Sequence, residues 1–283
     1  MILGFYTGAS GVLYNEQKLG VISNNLANMN GTSFHKAYLM LRTREENPYT
    51  KWIDPSVKER LPSTYGIERK GVYPSFEPGA LKATDNPFNV AIAPELRNAF
   101  FAVKKTNGDP KTYYTRNGQI SYKLENPNDP NSQTVLHVGG HRLMNAIGES
   151  IPIDPSLGPI NITPIGTLQQ ADIDIGEIPI FRMNESPNPT IQTASPLTAL
   201  IQKGDSLYEI PSKMEELFNP LRIEVGQAGV NHLLHQGSLE GTNVNVMSEY
   251  MDMINTTRAS EANFSSMRTQ GETLTKLFQI VRG

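Results

Sequence analysis

Apolar residues near the amino terminus recur at the spacing of a coiled-coil helix. The seven-residue row consists of Phe5, Val12, Leu19 and Leu26, and Ile22 follows Leu19 by three positions. A repeat of this period places one stripe along a helix, so we predict a helix from residue 3 to about residue 29. Gly8 and Asn15 stand where a second apolar row would be needed.

The same segment contains glycines at positions 4, 8, 11 and 20. Each glycine costs a helix about 1 kcal/mol relative to alanine, and an isolated helix of this length is marginal in water. We therefore expect this helix to form only against a partner. The run from Gly8 to Gly11 consists of small residues, which would let another helix approach closely.

A second helical pattern lies at the carboxyl end, from about residue 245 to residue 281. Its members alternate spacings of four and three, which is the heptad pattern. The row consists of Val246, Tyr250, Met253, Thr257, Ser260, Phe264, Met267, Gly271, Leu274, Phe278 and Val281. Asn245 suits the N-cap position, and a fully helical segment would be roughly 55 Å long.

The two terminal helices have two possible pairings. They can pair with each other and close the chain on itself, or pair both with each other and with neighbouring copies. The glycines of the amino-terminal helix favour the second arrangement, because a single partner gives such a helix limited support.

Between the helices the pattern changes to short strand-like runs. They cover residues 88–93, 100–104, 119–124, 134–138 and 173–181. Asn107-Gly108, Asn117-Gly118 and Gly139-Gly140 are turn dipeptides, and the Asn-Gly pairs suit hairpins. Residues 214–218 alone have weak helical character, and extended connections are expected around residues 47–62 and 125–132.

These patterns predict an α+β fold, in which long amino- and carboxyl-terminal helices pair as a coiled coil beside a central all-β domain. The predicted domains are residues 1–40 for the amino-terminal helix with its asparagine-rich end, 41–236 for the β-rich domain with extended connections, and 237–283 for the carboxyl-terminal helix.

Composition narrows the classes of function. The 283 residues carry a net charge of −3, and no basic cluster suited to nucleic acid or a membrane surface is visible. The chain has no cysteine, which excludes disulfides, thiolate catalysis and cysteine zinc sites. The amino terminus does not have the pattern of a secretory signal. No stretch reaches the ~18 apolar residues that a membrane helix requires.

No group of residues has the spacing of a catalytic or metal site. His137 and His141 have the i, i+4 spacing of ligands on a helix, but they flank the predicted Gly139-Gly140 turn. Asp172 and Asp174 lack the further ligands of a calcium loop and suit an exposed edge strand. We therefore predict no catalytic residue, no cofactor and no metal.

Asparagines cluster at the end of the amino-terminal helix, in Ser23-Asn24-Asn25-Leu26-Ala27-Asn28-Met29-Asn30. Asn and Ser compete with helical backbone hydrogen bonds, so the cluster can mark the point where the helix frays into a turn. It can also form a face that hydrogen-bonds neighbouring chains, since buried Asn sets register in coiled coils. The two interpretations are compatible, and both stay open.

Three groups of residues resemble the bacterial flagellar rod and hook proteins. The first is Val21-Ile22-Ser23-Asn24-Asn25-Leu26-Ala27-Asn28, followed by Phe34. The second is Leu239-Glu240-Gly241-Thr242-Asn243-Val244, with Met253-Ile254 and Arg258-Ala259-Ser260-Glu261-Ala262-Asn263 after it. The third, in the middle, is Thr84-Asp85-Asn86-Pro87-Phe88-Asn89-Val90-Ala91-Ile92, Phe100-Phe101 and Tyr114-Thr115-Arg116-Asn117-Gly118.

The chain also departs from the family pattern at defined places. Family members usually carry Thr-x-Gly-Phe-Lys after the asparagine motif, whereas Thr32-Ser33-Phe34-His35-Lys36 lacks that glycine. They usually have Gly-x-Gly before the paired phenylalanines, where this chain has Arg97-Asn98-Ala99. They also usually have tyrosine at the position of Ser260.

The resemblance implies an axial protein that stacks helically into a tube across the bacterial envelope. It implies paired terminal helices along the inner tube, a β domain facing outward, and export by the flagellar type III apparatus without a cleaved signal. The runs Tyr6-Thr7-Gly8-Ala9-Ser10-Gly11 and Glu261-Ala262-Asn263 resemble the proximal-rod proteins most, with the distal-rod proteins second and a hook-type subunit as a further alternative.

The function expected from these features is that of a non-enzymatic rod subunit, which polymerises helically into a torque-transmitting shaft. Its expected partners are copies of itself, other rod proteins and the export apparatus, in a basal body that spans the periplasm, without nucleic acid or membrane insertion. The alternative is a β-rich binding or enzymatic domain whose coiled-coil ends only dimerise it. The expected assembly interface consists of Phe5, Val12, Leu19, Ile22, Asn24, Asn25, Leu26, Asn28, Val246, Tyr250, Met253, Phe264, Met267, Leu274 and Phe278.

Overall fold

The computed structural model describes residues 2–43, 67–106, 109–126, 132–171, 173–183, 197, 200–211, 221–223 and 232–282. The chain divides into two compact units. We call Met1–Ala27, Ala37–Tyr73 and Asn245–Gly283 the helical unit, and Asn28–Lys36 with Pro74–Val244 the β unit. The nine residues directly after the first helix therefore belong to the β unit.

Two long helices and a two-stranded sheet form the helical unit. Helix α1 covers Ile2–Ala27 and α2 covers Val246–Arg282, while β1 (Ala37–Thr43) pairs with β2 (Ile67–Pro74). α1 packs against both α2 and β1. Both predicted helices are thus confirmed. Among the described residues, no helix combines the length and the apolar character needed to cross a membrane.

The start of α2 follows from its cap. The Asn245 side-chain oxygen accepts a hydrogen bond of 3.1 Å from the Ser248 backbone N–H, and the Asn245 carbonyl accepts the first helical bond, 3.0 Å from the Glu249 N–H. An Asn at this position satisfies donors that the first helical turn would otherwise leave unpaired. The predicted N-cap is confirmed.

The β unit is built from short strands. Their bounds are β3 Leu81–Ala83, β4 Val90–Ile92, β5 Ala99–Lys104, β6 Thr112–Thr115, β7 Ile120–Leu124, β8 Thr134–Val138, β9 His141–Leu143, β10 Pro152–Ile153, β11 Ile160–Ile162, β12 Thr167–Gln170, β13 Ile173–Glu177, β14 Ile180–Arg182, β15 Ile201–Gln202, β16 Leu207–Glu209, β17 Leu221–Arg222, β18 Leu234–Gln236 and β19 Ser238–Glu240. A 3-10 turn, Pro155–Leu157, lies between β10 and β11.

One ten-stranded sheet dominates this unit. Its main path runs β10-β8-β9-β5-β6-β16-β15, with β7 beside β8, β14 beside β5 and β17 beside β14. The strands β11-β12-β13 form a second sheet, and β18 pairs with β4 and β19 with β3. The prediction of a β-rich central region is confirmed in the residues that the structure describes.

The core lies on both faces of β5, which explains its continuous apolar run. Phe101 packs into the larger cluster with Leu136, Leu143 and Ile180. Phe100, its neighbour in sequence, points to the other face and packs into a smaller cluster that includes Tyr208. Alternation along the strand thus sends the two adjacent phenylalanines into two separate cores.

Of the turns predicted from the sequence, one is confirmed and one is wrong. Gly139 and Gly140 have φ of 56° and 88° and connect β8 to β9 as a two-residue hairpin, as expected. The predicted hairpin at Asn117-Gly118 is wrong, because the flanking strands β6 and β7 pair with other strands. Gly118 is required for another reason: a Cβ there would collide with the backbone of Val90, whose N–H donates a 2.9 Å hydrogen bond to the Gly118 carbonyl.

Residues 173–181 form two strands, β13 and β14, and the prediction of one run is wrong. Pro179 lies between them and has no N–H for a sheet hydrogen bond. Asp174 lies on β13, the outer strand of its sheet, as expected of an edge carboxylate. Residues 47–62, 107–108 and 214–218, together with Asp172 and most of 125–132, lie outside the described residues.

Candidate assembly interface

Helices α1 and α2 pack against each other in opposite directions, with glycines of α1 at the contact. The facing pairs are Gly4 with Gln270, Gly8 with Met267, and Gly11 with Asn263. A Cβ added at any of these three glycines would lie only 2.7–2.9 Å from the facing side chain. The glycines therefore let α2 approach the α1 backbone more closely than any other residue would allow.

The contacting rows of both helices have the coiled-coil period but small or polar members. The less exposed row of α1 consists of Gly4, Gly8, Gly11, Asn15, Lys18, Ile22 and Asn25. The corresponding row of α2 consists of Glu249, Met253, Thr256, Ser260, Asn263, Met267, Gln270 and Leu274. Spacings of four and three alternate in both rows. The seam inside the subunit is therefore poor in the large apolar residues that usually hold helices together.

The residues of the expected interface fall into three classes of exposure within the subunit. Ile22 and Asn25 are buried. Those of intermediate exposure are Val12, Leu19, Leu26, Asn28, Val246, Met253, Met267 and Leu274. Those that are exposed are Phe5, Asn24, Tyr250, Phe264 and Phe278. Contacts with neighbouring copies stay a prediction for all of them.

Half of the α2 row identified in the sequence lies away from the seam. Part of the row is partly covered, namely Met253, Ser260, Met267 and Leu274. The exposed fraction is 50 % for Tyr250, 56 % for Phe264 and 69 % for Phe278. The helix places the polar neighbours, such as Asn263, towards α1 instead, because glycines there leave room for them. An apolar outer row on α2 is the result, continued by Met247, Met251 and Ile254.

The end of α2 extends past the start of α1. Gln270 faces Gly4, so about ten residues of α2 lie beyond Ile2, or roughly 15 Å at 1.5 Å per residue. This overhang carries apolar side chains with exposed fractions of 40–84 %, namely Leu277, Phe278, Ile280 and Val281. On α1, Phe5, Tyr6 and Leu13 are exposed by 40–66 %. Exposed apolar residues that follow one another along a helix indicate an interaction surface.

Asn25 connects three elements of the helical unit. Its amide N–H₂ donates to the Ala37 carbonyl at 2.8 Å and to Glu249 Oε2 at 3.1 Å, while its Oδ1 accepts from the Ala37 N–H at 2.9 Å. The side chain thus pairs with β1 as a neighbouring strand would, and it also reaches α2. Because α1 ends at Ala27, the asparagine cluster coincides with the helix terminus.

A buried ion pair, which sequence reasoning missed, lies in the β unit. Arg116 Nε donates to Glu240 Oε2 at 2.8 Å, and both side chains are at most 2 % exposed. Glu240 Oε1 accepts from the Gly79 N–H at 3.2 Å, and His35 Nε2 lies 3.7 Å from it. Burial alone would raise the pKa of the Glu240 carboxyl, but the neighbouring His35 ring and Arg116 charge more than offset this and lower the pKa. The signal was present, since Arg116 and Glu240 each belong to a motif that resembles the flagellar rod and hook proteins.

Ser33 stands in the same cluster in a left-handed conformation, with φ of 51°. Its N–H donates to the Glu240 carbonyl at 2.8 Å, and its hydroxyl donates to the Arg116 carbonyl at 3.0 Å. A positive φ is easy for glycine and costly for serine. The family glycine missing before Phe34 was therefore a backbone requirement, which this chain meets with a serine held by its hydroxyl.

The surroundings of the two histidines in the β8–β9 hairpin indicate a structural role for these side chains. His137 is 2 % exposed and its Nδ1 lies 3.2 Å from the Val135 carbonyl. Burial lowers the pKa of both His137 and His141, which favours their neutral forms. Within the part of the chain that the structure describes, no three His, Asp or Glu side chains come together as a metal site.

The helix pair has a polar seam and an apolar outer row, an arrangement typical of subunits that bind other chains. Comparison with known proteins identifies the class more closely. Residues 5–34 match the family model described as "Flagella basal body rod protein", and residues 235–280 match "Flagellar basal body rod FlgEFG protein C-terminal". The two matches contain most of α1 and α2.

Named relatives extend over nearly the whole chain. The flagellar basal-body rod protein FlgF of Caulobacter vibrioides is 27 % identical over 94 % of this chain and 93 % of its own length. FlgG of Buchnera aphidicola from Schizaphis graminum is 29 % identical over 99 % and 100 %. The flagellar hook-basal body complex protein FlhO of Bacillus subtilis is 24 % identical over 98 % and 97 %. The chain is therefore similar to flagellar basal-body rod proteins over nearly its whole length.

Proposed function

We propose that this chain is a structural subunit of the bacterial flagellar rod, which polymerises helically through its terminal helices and has no catalytic role. The observation that carries the proposal is the arrangement of the helix pair, whose seam is small and polar while large apolar residues face outward. The named relatives are rod proteins and match nearly the full length, which supports the same role here.

The outer rows can supply the energy of assembly. Removing a large apolar side chain from water stabilises a complex by about 1.5–3 kcal/mol when burial is complete. Tyr250, Phe264 and Phe278 on α2, and Tyr6 and Leu13 on α1, are each at least half exposed in the single subunit. Burying even a few of them against neighbouring helices would drive association without opening the α1–α2 seam.

The finer features of the assembly are part of the proposal. We expect coiled-coil contacts between helices of adjacent subunits, with the overhang of α2 covered by a neighbour. The neighbours are copies of this chain and other rod proteins, in a basal body reached through the flagellar export apparatus. The division into residues 1–40, 41–236 and 237–283 describes the regions expected to act separately in this process.

The position within the rod is also proposed. The relatives include proteins named FlgF and proteins named FlgG, at similar identity. We assign the chain to the proximal rod on the runs Tyr6-Thr7-Gly8-Ala9-Ser10-Gly11 and Glu261-Ala262-Asn263. A distal-rod position is the second candidate.

A pair of substitutions tests the assembly surface. Phe264→Asp places a charge in the outer apolar row, whereas Ser265→Asp places the same charge at the next, exposed position of α2. Both variants would replace the native gene in the source bacterium, with motility and rod formation as readouts. The purified variants are compared in urea unfolding.

We expect Phe264→Asp to abolish motility and rod formation while the monomer keeps its stability, because the side chain contacts solvent in the free subunit. Ser265→Asp should assemble. Normal rods with Phe264→Asp would refute an interface at this row. A defined dimer of the wild-type chain at micromolar concentration, with motility unaffected by either change, would favour the dimerised-domain alternative.

A further inference from the structure

The chain segments that directly follow α1 and directly precede α2 lie against each other inside the β unit. One is Asn28–Lys36, which follows α1, and the other is residues 238–244, which precede α2. The Ser33 N–H donates to the Glu240 carbonyl at 2.8 Å, and the Lys36 N–H donates to Asn243 Oδ1 at 2.7 Å. We refer to them as the 28–36 segment and the 238–244 segment.

Side chains hold both segments in addition to the pairing of Ser238–Glu240 with β3. Arg116, which pairs with Glu240, also donates from Nη1 to the carbonyls of Leu96 at 2.7 Å and Ala99 at 2.9 Å. Its own carbonyl accepts from the hydroxyl of Ser33. The guanidinium therefore joins the 238–244 segment to the loop before β5, and its backbone joins the 28–36 segment.

Asn243 fixes the same two segments from the other side. Its Oδ1 accepts from Lys36, and its Nδ2 donates to the carbonyls of Ser75 at 2.8 Å and Glu77 at 2.9 Å. The Asn243 side-chain amide therefore makes three hydrogen bonds, each to a different backbone group. Close backbone approach completes the arrangement, since a Cβ at Gly79 would collide with the Gly241 carbonyl.

We infer that Arg116, Glu240 and Asn243 form a clamp that orders the 28–36 and 238–244 segments in the free subunit, before any helix contacts a neighbour. A buried ion pair is a poor source of net stability, because desolvation offsets its attraction. Its other partners here are the main-chain groups of Leu96, Ala99 and Gly79, so its effect is to specify where Glu240 and the 238–244 segment lie against them. The clamp goes beyond the proposed rod function, since it concerns the order of these two segments in the isolated chain.

Hydrogen exchange of the full-length chain, measured by mass spectrometry, tests the clamp. Glu240→Gln keeps the side-chain shape but turns an N–H₂ group towards the donors of Arg116 and Gly79. Asn243→Ala removes the acceptor of the Lys36 N–H. The matched control is Glu209→Gln in β16, a carboxylate of the same unit with two lysine partners and no contact to either segment in the described bonds.

We expect both clamp variants to accelerate exchange in the 28–36 and 238–244 segments at least about tenfold beyond any change in β5 and β8. Glu209→Gln should leave the two segments no more affected than those strands. Equal acceleration everywhere in Glu240→Gln, unchanged segments, or the same local pattern in Glu209→Gln would each overturn the clamp.

A milder variant covers the case in which Glu240→Gln does not fold. Ser33→Ala removes one hydroxyl contact to the Arg116 carbonyl and leaves the ion pair in place. It should accelerate exchange in the 28–36 segment by a smaller factor, again without an equal change in β5 and β8. Unchanged protection of that segment would count against the clamp.

Discussion

The amide of Asn25 on α1 and the carboxylate of Glu249 on α2 are joined by a 3.1 Å hydrogen bond, and each residue is only 1 % exposed. The contact links residues 224 positions apart in the chain. It lies at one end of a seam that otherwise contains few large apolar side chains. This buried polar contact therefore contributes, together with the glycines of α1, to the register in which the two helices pair.

Removing this contact should destabilise the helical unit. We expect Asn25→Ala to lower the free energy of unfolding by about 1–3 kcal/mol, because Ala37 and Glu249 lose buried partners. Asn24→Ala, at the exposed neighbouring position, is the control and should cost less than half as much. Urea unfolding followed by helical circular dichroism measures both, and equal losses would contradict the role given to Asn25.

The helix glycines should differ in their response to alanine. Gly20 has no atom within 4 Å of an added Cβ, so Gly20→Ala should stabilise α1 by about 1 kcal/mol through helix propensity alone. Gly8→Ala brings its Cβ to 2.8 Å from Met267 Cγ and should gain less or lose stability. Thermal unfolding of both variants gives the ranking. The same gain at both positions would mean that the helices do not pack this closely.

The left-handed Ser33 allows strain and hydrogen bonding to be separated. Ser33→Gly loses the hydroxyl contact but relieves a backbone conformation that costs a non-glycine residue about 1 kcal/mol or more. Ser33→Ala loses the same contact and keeps the strain. We therefore expect alanine to destabilise the β unit by about 1 kcal/mol more than glycine, as measured by urea unfolding. The reverse order would show that φ at this position is not strained.

Acid should remove the contribution of Glu240. Because its pKa is lowered in the folded protein, its carboxylate stabilises the fold above the unfolded value of 4.5, and this stabilisation disappears as the pH falls through the folded pKa. The stability difference between the wild type and Glu240→Gln should therefore be larger at pH 7 than at pH 3. Unfolding curves at both pH values measure it, and a constant difference would contradict a lowered pKa.

The features that the sequence predicted correctly are those that depend on residues close together in the chain. The Asn245 cap, the Gly139-Gly140 hairpin and the continuous apolar strand β5 each depend on a few neighbouring residues, and the structure has all three. Both helices were predictable because periodicity accumulates over many turns.

What the sequence left undetermined depends on contacts between distant residues. The heptad pattern indicated a row on α2 that contains Phe264, whereas the glycines of α1 face the more polar row that contains Asn263. The ion pair of Arg116 and Glu240 unites motifs far apart in the chain, and no local rule indicates that they meet. Both residues belong to motifs that resemble the flagellar rod and hook proteins, but only the three-dimensional structure shows that they are in contact.

The overhang of α2 makes the two ends of the helix pair different. Two antiparallel helices of equal length would end alike, whereas here one end is a capped first turn and the other a bare apolar tip. When such units repeat head to tail along an axis, each copy points the same way and the contact is heterologous, so it does not close into a pair. In the proposed shaft, the length difference between the two helices of each subunit would therefore define a direction along the axis.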